Sequence, residues 1–371
     1  MLKILFITSA THTPSDRNFN HFQRVYFLSR HTALTILGCK GASFAASAKP
    51  ETKIVHAPWS GKAGLLLYGF FWILAGKARE FDIVLTEPTI LGVLGLWAKV
   101  ISRCKWAVDV WDIPIRFKIG TLITKARCRA VRAIMRRLYR SADLFIISIL
   151  PEFELSEFGI PKEKMFLVPN AIWLDKKSIQ NTGQGNGSFS ILCMRSIHYT
   201  DMGLDTLAQA FLKLNSNIDN LSLTIIGRIP EEVRPQLAAI EKLPNVRLLK
   251  FVEHERLKKL IRNSSVAVIP FKNVPDLAQT YPIKVLEYFT QGTVVLASNI
   301  AGMSRMIEDG KNGLLFRAGD PDGLAEKILR LRRDEQLRIN LGKNAMKIDE
   351  KYDCVKKNEK IIKALENLAT N

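Results

Sequence analysis

One short segment of the chain combines side chains suited to binding an anion next to a pair of hydroxyl groups. Residues 279–292 read QTYPIKVLEYFTQG, which predicts a loop followed by a short helix. The free N–H groups and the dipole of a helix N-terminus attract anions, and Lys284 adds a positive charge in the first turn. Glu287 follows one turn later, where its carboxylate could accept hydrogen bonds from the two vicinal hydroxyls of a ribose. The alternative interpretation is a solvent-facing Glu287 paired with Lys284 three residues away.

This helix must be positioned by a strand, and the run VAVIPF at 266–271 precedes it. The rest of the chain also alternates short β-rich apolar runs with helical segments. Such alternation predicts an α/β fold with parallel sheets covered by helices on both faces. Ligands of these sheets bind beyond the carboxyl ends of the strands, next to helix N-termini.

The apolar runs and helical patterns predict individual elements in both halves of the chain. In the first half, the predicted strands are 2–8, 33–38, 82–87, 106–110 and 143–148, and the predicted helices are 18–30, 62–79, 90–102 and 122–140. In the second half, the predicted strands are 190–194, 221–227, 246–251, 266–271, 293–298 and 313–316, and the predicted helices are 203–214, 231–242, 254–262, 283–289, 303–308, 321–334, 337–347 and 353–368.

Length and a flexible segment predict two domains. A chain of 371 residues exceeds the usual size of a single core. TGQGNGS, at 182–188, is the stretch richest in Gly, Asn and Ser and is typical of a linker. We predict a doubly wound domain over 1–172, a linker over 173–189, a second doubly wound domain over 190–350, and a C-terminal helix within 351–371 that packs back on the first domain.

The charge is strongly positive and unevenly distributed. The net charge is +19, and residues 1–150 contain 22 Lys and Arg against 8 Asp and Glu. Such a field suits nucleic acid, an anionic membrane or a phosphate-bearing substrate. The sequence shows neither zinc-ligand spacing nor an aromatic RNA-binding motif, which argues against nucleic acid. The five cysteines are far apart, as in a cytosolic protein with reduced thiols.

Several motifs of the second half occur together in a recognisable order. They are LVPNAIWLD, ILCMRSIHYTDMGLDTLAQAF, LTIIGRIPEEV, VRLLKFVEHERLKKLIRNSSVAVIPF, and YPIKVLEYFTQGTVVLASNIAGMSRMIEDGKNGLLFRAGDPDGLAEKIL. Together they resemble the retaining glycosyltransferases of family 4, the group 1 glycosyltransferases. The resemblance implies the GT-B fold, in which two Rossmann-like domains face a central cleft. The first half resembles the family only in its architecture and in VDVWDIP at 108–114.

The resemblance implies transfer of a sugar from a nucleotide-sugar donor, with retention at the anomeric carbon and without a metal or other cofactor. Glu287 matches the family's ribose-binding glutamate, and Arg195 matches the arginine that neutralises the donor diphosphate. Two positions depart from the pattern, because Gln279 replaces a glutamate that touches the donor sugar and Met202 replaces a lysine. The expected donor-binding residues are Arg195, Arg228, Gln279, Tyr281, Ile283, Lys284 and Glu287, and the expected catalytic residues are Asp112, Arg195, Gln279 and Glu287.

The first domain supplies candidates for the acceptor side. Asp112 follows a predicted buried strand, where it could orient an acceptor hydroxyl or accept its proton; the alternative is a turn cap next to Pro114. Asp16, Arg17 and Asn18 lie in the loop after the first strand and could bind the acceptor. For Arg17, an ordinary surface role is the alternative.

Two segments of the first domain predict contact with a membrane surface. KARCRAVRAIMRRLYR at 125–140 is a basic amphipathic pattern without an acidic residue. The apolar run AGLLLYGFFWILAG at 63–76 is shorter than the roughly 20 residues that a spanning helix needs. No signal peptide is apparent. We expect a cytoplasmic protein bound peripherally to the anionic inner face of the cytoplasmic membrane.

The sequence therefore predicts an enzyme that transfers sugar to a lipid-linked or cell-envelope glycan. Three alternatives stay open at this point. The replacements at Gln279 and Met202 are compatible with a degenerate protein that binds a nucleotide sugar without transferring it. The fold is also used by nucleotide-sugar epimerases and phosphorylases, and the positive charge allows a nucleic-acid-binding protein.

Overall fold

The fold was examined in a computed structural model of the whole chain. The residues that it describes are 1–13, 18–111, 133–134, 136–148, 159–174, 189–195, 202–216, 218–229, 231, 233–274, 281–348 and 352–370. They form two compact units, the first comprising Met1–Trp173 and Asp353–Asn371 and the second Leu174–Tyr352.

The first unit is built on a seven-stranded parallel sheet with helices. Its strands are β1 (Lys3–Thr8), β2 (Ala33–Gly38), β3 (Lys53–His56), β4 (Ile83–Thr86), β5 (Lys105–Val110), β6 (Leu144–Ile147) and β7 (Met165–Leu167). They lie in the order β3-β2-β1-β4-β5-β6-β7. Its first three α-helices are α1 (Asn20–His31), α2 (Gly61–Leu74) and α3 (Gly92–Ser102), and residues 133–134 and 136–139 are also helical.

The second unit is built on a six-stranded parallel sheet. Its strands are β8 (Phe189–Met194), β9 (Leu221–Ile226), β10 (Val246–Leu249), β11 (Val266–Ile269), β12 (Val295–Ser298) and β13 (Leu314–Phe316), in the order β10-β9-β8-β11-β12-β13. Its helices are α4 (Leu204–Asn215), α5 (His254–Arg262), α6 (Ile283–Thr290), α7 (Ala301–Ser304), α8 (Pro321–Arg333) and α9 (Glu335–Ala345). Both sheets have the doubly wound order that the alternating pattern predicted, so the predicted fold class is confirmed.

The last helix, α10 (Cys354–Thr370), returns to the first unit. Ile361 and Leu365 are fully buried in the same core cluster as Val25 and Leu28 of α1. The N–H of Cys354 also donates to the carbonyl of Ile172 at 3.0 Å. Apolar packing and this backbone bond therefore fix the C-terminal helix against the first sheet's layer of helices.

Some predicted elements differ from the observed ones, each for a local reason. The predicted helix 231–242 is reduced to a 3-10 turn at Arg234–Leu237, since Pro235 has no N–H to donate. The predicted helix 62–79 ends at Leu74, and Gly76 adopts φ 77° before a separate 3-10 turn. The strands β3 and β7 were missed because they are short edge strands with half-exposed side chains.

Side-chain caps fix the starts of two helices. Asp320 accepts hydrogen bonds from the N–H groups of Asp322 and Gly323 at 3.1 and 3.0 Å, with Pro321 in the first turn of α8. Asp334 accepts from the N–H of Leu337 at 2.8 Å and starts α9. Side-chain oxygens at this position satisfy N–H groups that have no partner within the helix.

Candidate functional site

The strand order of the second sheet reverses its direction between β8 and β11, which are neighbours in the sheet although two strands and two α-helices lie between them along the chain. In open parallel sheets, ligands bind beyond the carboxyl ends of the strands at this switch point. Arg195 directly follows β8, and α6 is the next described helix after β11. The switch point therefore places Arg195 and the helix of Lys284 and Glu287 at the same edge of one sheet.

Arg195 is held in place by the strand next to it. Its N–H donates to the carbonyl of Ile226 at 2.7 Å, and its guanidinium donates to the carbonyl of Arg228. The side chain is only 6% exposed. Gly227 has φ 129°, and a Cβ there would lie 2.9 Å from the Cβ of Arg195. The backbone geometry at Gly227 therefore makes room for the arginine.

The helix α6 is fixed to β8 through a buried hydroxyl. Val285, Leu286 and Phe289 are buried and form its apolar side. Tyr288 is fully buried, and its hydroxyl accepts a hydrogen bond from the N–H of Met194 at 3.0 Å. This bond joins α6 to the residue that precedes Arg195.

The charged side chains of the site influence one another. Burial lowers the pKa of Lys284; the nearby carboxylate of Glu287 raises this pKa, and the guanidinium of Arg195 lowers it. Burial raises the pKa of the Cys193 thiol to about 12, which Lys284 and Arg195 oppose. Arg195 and Glu287 therefore both act on the charge of Lys284, in opposite directions.

The other predicted donor residues have distinct positions. Tyr281 and Ile283 are half-buried at the start of α6, whereas the side chain of Arg228 is exposed after β9. Met202 is 2% exposed just before α4, so a thioether occupies the position where the resemblance expects a lysine. Gln279 lies outside the described residues, as do Asp112, Asp16 and Arg17.

Asn18 is the described member of the predicted acceptor loop. It is half-buried in the turn before α1, and its carbonyl accepts a hydrogen bond from Nε2 of Gln23 at 3.3 Å. Asp109, the last residue but one of β5, is fully buried. Its carboxylate accepts two hydrogen bonds from Arg24. Asp109 therefore has a structural role inside the first unit.

The first sheet has its own switch point, between β1 and β4, and a glutamate occupies it. Glu87 follows β4, is 3% exposed, and accepts hydrogen bonds from the hydroxyl of Thr8 and from both the N–H and the hydroxyl of Ser9. The N–H and hydroxyl distances to Ser9 are 2.7 and 2.9 Å. This carboxylate fixes the chain as it leaves β1. Sequence reasoning missed it, and its only signal was an acidic residue directly after an apolar strand.

A second group that sequence reasoning missed follows β1. The buried ring of His12 lies 2.6 Å from the hydroxyl of Ser47 through Nδ1 and 2.9 Å from Nδ1 of His21 through Nε2. These three residues come from the loop after β1, the first turn of α1 and the segment between β2 and β3. No sequence spacing links them, because only the sheet topology brings them together.

Two hollows of about 450 Å³ each lie away from Arg195. One is at the amino edge of the first sheet, near the starts of β1, β2 and β3. The other is lined by Asn273, Asn299, Asp309, Leu315, Phe316, Arg317 and Ala318, and so includes residues that follow the carboxyl ends of β11, β12 and β13. Only the second hollow lies at the ligand-binding edge of its sheet.

Comparison with known proteins identifies the second unit. Residues 175–348 match the family model described as glycosyl transferases group 1. Over these residues the second unit is similar to the group 1 glycosyltransferases. The matched residues contain Arg195 and α6, so the candidate site lies within the part of the chain that resembles the family.

Curated relatives extend the similarity into the first unit. A phosphatidyl-myo-inositol mannosyltransferase of Mycobacterium leprae is 24% identical over 307 residues, which cover 81% of this chain and 76% of the relative. An uncharacterized glycosyltransferase of Methanocaldococcus jannaschii is 28% identical over 292 residues, with 74% and 72% covered. An N,N'-diacetylbacillosaminyl-diphospho-undecaprenol alpha-1,3-N-acetylgalactosaminyltransferase of Campylobacter jejuni is 27% identical over 135 residues, covering 36% of this chain and 34% of the relative.

Solved structures show that the fold is shared over nearly the whole chain. The Anabaena protein HepE, solved with UDP and glucose, superposes with a TM-score of 0.73 at 17% identity, covering 99% of this chain and 100% of that one. The sucrose-phosphate synthase of Thermosynechococcus elongatus gives a TM-score of 0.75 at 14% identity, covering 99% of both chains. The chain therefore has the GT-B fold.

Proposed function

We propose that this protein is a group 1 glycosyltransferase that transfers a sugar from a nucleotide-sugar donor to a lipid-linked or cell-envelope glycan, with retention at the anomeric carbon. The observation that carries the proposal is the meeting of Arg195, Lys284 and Glu287 at the switch point of the second sheet. Two cations suit a diphosphate, and a carboxylate one helical turn from the N-terminus of α6 suits a ribose. The three charges match the two parts of a nucleoside diphosphate.

Each donor-site residue has a physical role in the proposal. Arg195 and Lys284 neutralise the charge that develops on the leaving diphosphate, and the free N–H groups at the start of α6, near Tyr281 and Ile283, add to this field. Glu287 accepts hydrogen bonds from the ribose hydroxyls. The amide of Gln279 binds a hydroxyl of the donor sugar, and Arg228 is a further cation after β9. Because protein cations neutralise the diphosphate, we propose that transfer needs no metal.

The chemical step that we propose exchanges one bond at the anomeric carbon. The bond from this carbon to the diphosphate oxygen breaks, and the acceptor oxygen binds the carbon on the same face. The acceptor proton passes by way of Asp112 to the leaving diphosphate, so that charge and atoms balance. Asp16, Arg17 and Asn18 are proposed to bind the acceptor.

A lipid-linked acceptor is supported by the names of two relatives. The mannosyltransferase of Mycobacterium leprae is named for phosphatidyl-myo-inositol, and the Campylobacter jejuni transferase for a diphospho-undecaprenol sugar. Both names describe an acceptor that is attached to a lipid. A protein that works on such acceptors must approach a membrane surface.

The exposed face of α2 and α3 supports peripheral binding to a membrane. No helix among the described residues is long and apolar enough to cross a bilayer. Leu67, Phe71 and Leu74 recur at helical spacing on α2 and are 50, 59 and 48% exposed. Trp97 and Val100 of α3 are also exposed, and a ring contact of 4.7 Å between Phe70 and Trp97 joins the two helices. We call these five exposed apolar residues of α2 and α3 the apolar face.

Basic residues accompany the apolar face. Lys62 begins α2, Lys77 and Arg79 follow it, Arg103 follows α3, and all four are exposed. Each basic residue near an anionic surface contributes about 1 kcal/mol of attraction. We propose that the apolar face enters the headgroup region of an anionic leaflet, on the inner side of the cytoplasmic membrane. Residues 125–132 and 135 of the basic 125–140 segment lie outside the described residues.

The donor proposal is tested by thermal shift with UDP-, GDP- and ADP-sugars, each with and without a chelator. A selective rise in melting temperature that survives the chelator names the donor base and supports metal-independent binding. No rise with any donor would contradict the proposed function.

A second candidate is a protein that binds the donor without transferring it. The buried Met202, where the resemblance expects a lysine, favours this candidate because one cation of the site is missing. The candidate requires a donor-specific thermal shift together with neither donor hydrolysis nor transfer to any acceptor. Release of the free nucleotide from the bound donor would exclude it.

A further inference from the structure

The hollow of the second unit lies at the carboxyl edge of its sheet, where open parallel sheets bind their ligands. The strands that end next to it are β11, β12 and β13. Its volume of about 450 Å³ is within the range of about 300–1,000 Å³ that is usual for ligand pockets. The hollow is therefore large enough for a small organic ligand.

The polar side chains that line the hollow have opposite charges that cancel. Asn273 and Asn299 contribute amides. Asp309 contributes a carboxylate, and Arg317 contributes a guanidinium. An amide both donates and accepts hydrogen bonds, whereas a carboxylate accepts them and a guanidinium donates them. Sugar hydroxyls do both, so this neutral set suits a sugar better than a phosphate, which binds where positive charge is in excess.

The backbone holds both asparagines in tight turns beyond their strands. The N–H of Val274 donates to the carbonyl two residues before it at 2.9 Å and closes a three-residue turn around Asn273. The N–H of Ile300 closes an equivalent turn around Asn299, also at 2.9 Å. The N–H of Asn299 itself donates to the carbonyl of Phe316 at 2.6 Å. Since the backbone is fixed before a ligand binds, binding loses less conformational entropy.

The side chains of Asn273, Asn299 and Arg317 are available to a ligand. Within the described parts of the chain, these three side chains make no hydrogen bond or ion pair, and the three residues are exposed. Asp309 differs from them, because its carboxylate accepts from the N–H of Leu315 at 2.8 Å. It therefore has a structural role at the hollow in addition to its charge.

Apolar side chains form the rest of the lining. Leu315 and Ala318 are half-buried, and Phe316 is only 3% exposed. Ligand pockets commonly combine apolar walls with a few polar groups that fix the orientation of the ligand. A sugar ring has apolar C–H faces and a rim of hydroxyls, so both parts of the lining match its chemistry.

The hollow is separate from the proposed donor site on the same sheet. Tyr288 of α6 accepts from the N–H of Met194 in β8, so α6 lies toward β8, and Arg195 directly follows that strand. In the sheet, β12 and β13 lie on the other side of β11. Neighbouring strands are about 4.8 Å apart, which places the ends of β12 and β13 about 5 and 10 Å from the end of β11. A diphosphate at Arg195 and α6 therefore leaves the hollow open to a second sugar.

We propose that this hollow is a subsite that binds one sugar unit of the acceptor glycan, through the amides of Asn273 and Asn299 and the guanidinium of Arg317. The inference rests on the proposed function, because it adds a binding site for the acceptor of that reaction. Part of the recognition of the acceptor then belongs to the second unit.

Exposed residues of the hollow allow variants that should fold normally. The double variant Asn273→Ala/Asn299→Ala removes both amides. Arg317→Met removes the guanidinium and keeps a long side chain, so it tests the subsite independently of the two turns. Asn263→Ala is the control, because Asn263 is an exposed asparagine at the opposite edge of the same sheet, shortly before β11. The melting temperature of each variant checks its folding.

The first measurement is the affinity of the whole protein for simple sugars, without a donor. The probes are the methyl glycosides of glucose, galactose, mannose and N-acetylglucosamine, titrated by saturation-transfer NMR. We expect at least one to bind the wild type and the control equally. The double variant and Arg317→Met should bind it about tenfold more weakly, since hydrogen bonds to the sugar are lost. No binding of any probe, or equal binding by the wild type and both hollow variants, overturns the proposal.

The second measurement adds the nucleotide sugar that raises the melting temperature. The methyl glycoside should stay bound, and the donor-induced thermal shift should be the same in the double variant and the wild type. Displacement of the glycoside would assign the hollow to the donor sugar and overturn the acceptor subsite. The absence of any donor-induced shift in the wild type would instead contradict the proposed function. Because the glycoside titration needs no donor, the two failures are distinguishable.

Discussion

Arg24 and Asp109 form a bidentate ion pair in the interior of the first unit, with distances of 2.8 and 3.0 Å and at most 1% of either side chain exposed. Arg24 also donates to Asn358 of α10 at 2.8 Å. One guanidinium thus joins α1, β5 and the C-terminal helix. Because Asp109 is the last residue but one of β5, this pair also fixes the carboxyl end of that strand.

We expect Asp109→Ala to destabilise the protein strongly, since it leaves the charge of Arg24 buried without its partner. Breaking such a pair costs about 3–5 kcal/mol of the free energy of unfolding. Urea denaturation measures the change. Glu80→Ala is the control, because Glu80 pairs with Lys53 on the surface, where side chains are 54 and 63% exposed and a pair is worth about 0–1 kcal/mol. Equal losses in the free energy of unfolding for the two variants would contradict the structural importance of the buried Arg24–Asp109 pair.

Lys357 predicts a pH dependence of stability. Burial and the charge of Arg24 lower its pKa to about 7, against the opposing effect of Asp109. In the unfolded chain the pKa of lysine is about 10.4. Between these values the unfolded chain binds more protons than the folded one, so the free energy of unfolding rises with pH, by at most about 1.4 kcal/mol per unit. Below pH 7 the amine is protonated in both states, and the folded state has the full free-energy cost of a charge in its interior.

Denaturation at several pH values between 7 and 10 tests this dependence in Lys357→Met and in the wild type. The methionine keeps the volume of the side chain but cannot titrate. The free energy of unfolding of this variant should therefore rise less steeply with pH than that of the wild type. Lys360→Met, at an exposed position of the same helix, should keep the wild-type slope. Parallel curves for wild type and Lys357→Met would show that the buried amine does not titrate in this range.

The sequence predicted the central strands well because strands buried on both faces are continuous apolar runs, as in LFII of β6. Strands whose side chains are only partly buried were not predicted, as for KIVH of β3. In the site, Arg195 and Glu287 were predicted through motifs that each lie on one element. His12, Ser47 and Glu87 were missed because their partners are 35 to 79 residues away. A local sequence pattern cannot predict contacts that depend on the order of the strands in the sheet.

Replacing Glu287 and replacing Arg195 should affect different properties of the donor site. Glu287→Ala removes a carboxylate proposed to bind ribose hydroxyls, and charged hydrogen bonds of this kind are worth about 1.5–3 kcal/mol. We expect nucleotide binding to weaken roughly tenfold or more. Arg195→Ala should abolish transfer, because the developing charge on the diphosphate loses its main counter-charge. Calorimetric titration and a transfer assay measure the two effects.

Glu255→Ala is the control for these variants, since Glu255 is an exposed carboxylate on α5 of the same unit. It should bind and transfer as the wild type does. If both Glu287→Ala and Arg195→Ala also behaved as the wild type, the assignment of the donor site would be wrong.

Gly227 predicts a test of how Arg195 is positioned. In Gly227→Ala the new Cβ would lie 2.9 Å from the Cβ and 3.0 Å from the carbonyl oxygen of Arg195, so the arginine must shift. We expect weaker donor binding in addition to a loss of stability. Gly310→Ala also places a side chain at positive φ, but nothing lies within 4 Å of it. That control should lose about 1 kcal/mol of stability and keep donor binding, and equal donor binding in both variants would contradict the role of Gly227.

The apolar face predicts a measurable affinity for anionic vesicles. Leu67→Ser and Phe71→Ser each remove an exposed apolar side chain from α2, and burying such a side chain is worth about 1.5–3 kcal/mol. We expect the double variant to bind phosphatidylglycerol vesicles at least tenfold more weakly in a sedimentation assay. Phe251→Ser is the control, because Phe251 is 78% exposed but belongs to the second unit. High salt should weaken the wild type, since the basic residues contribute through screened charge. Equal vesicle binding by the double variant and the wild type would exclude the apolar face as the membrane contact.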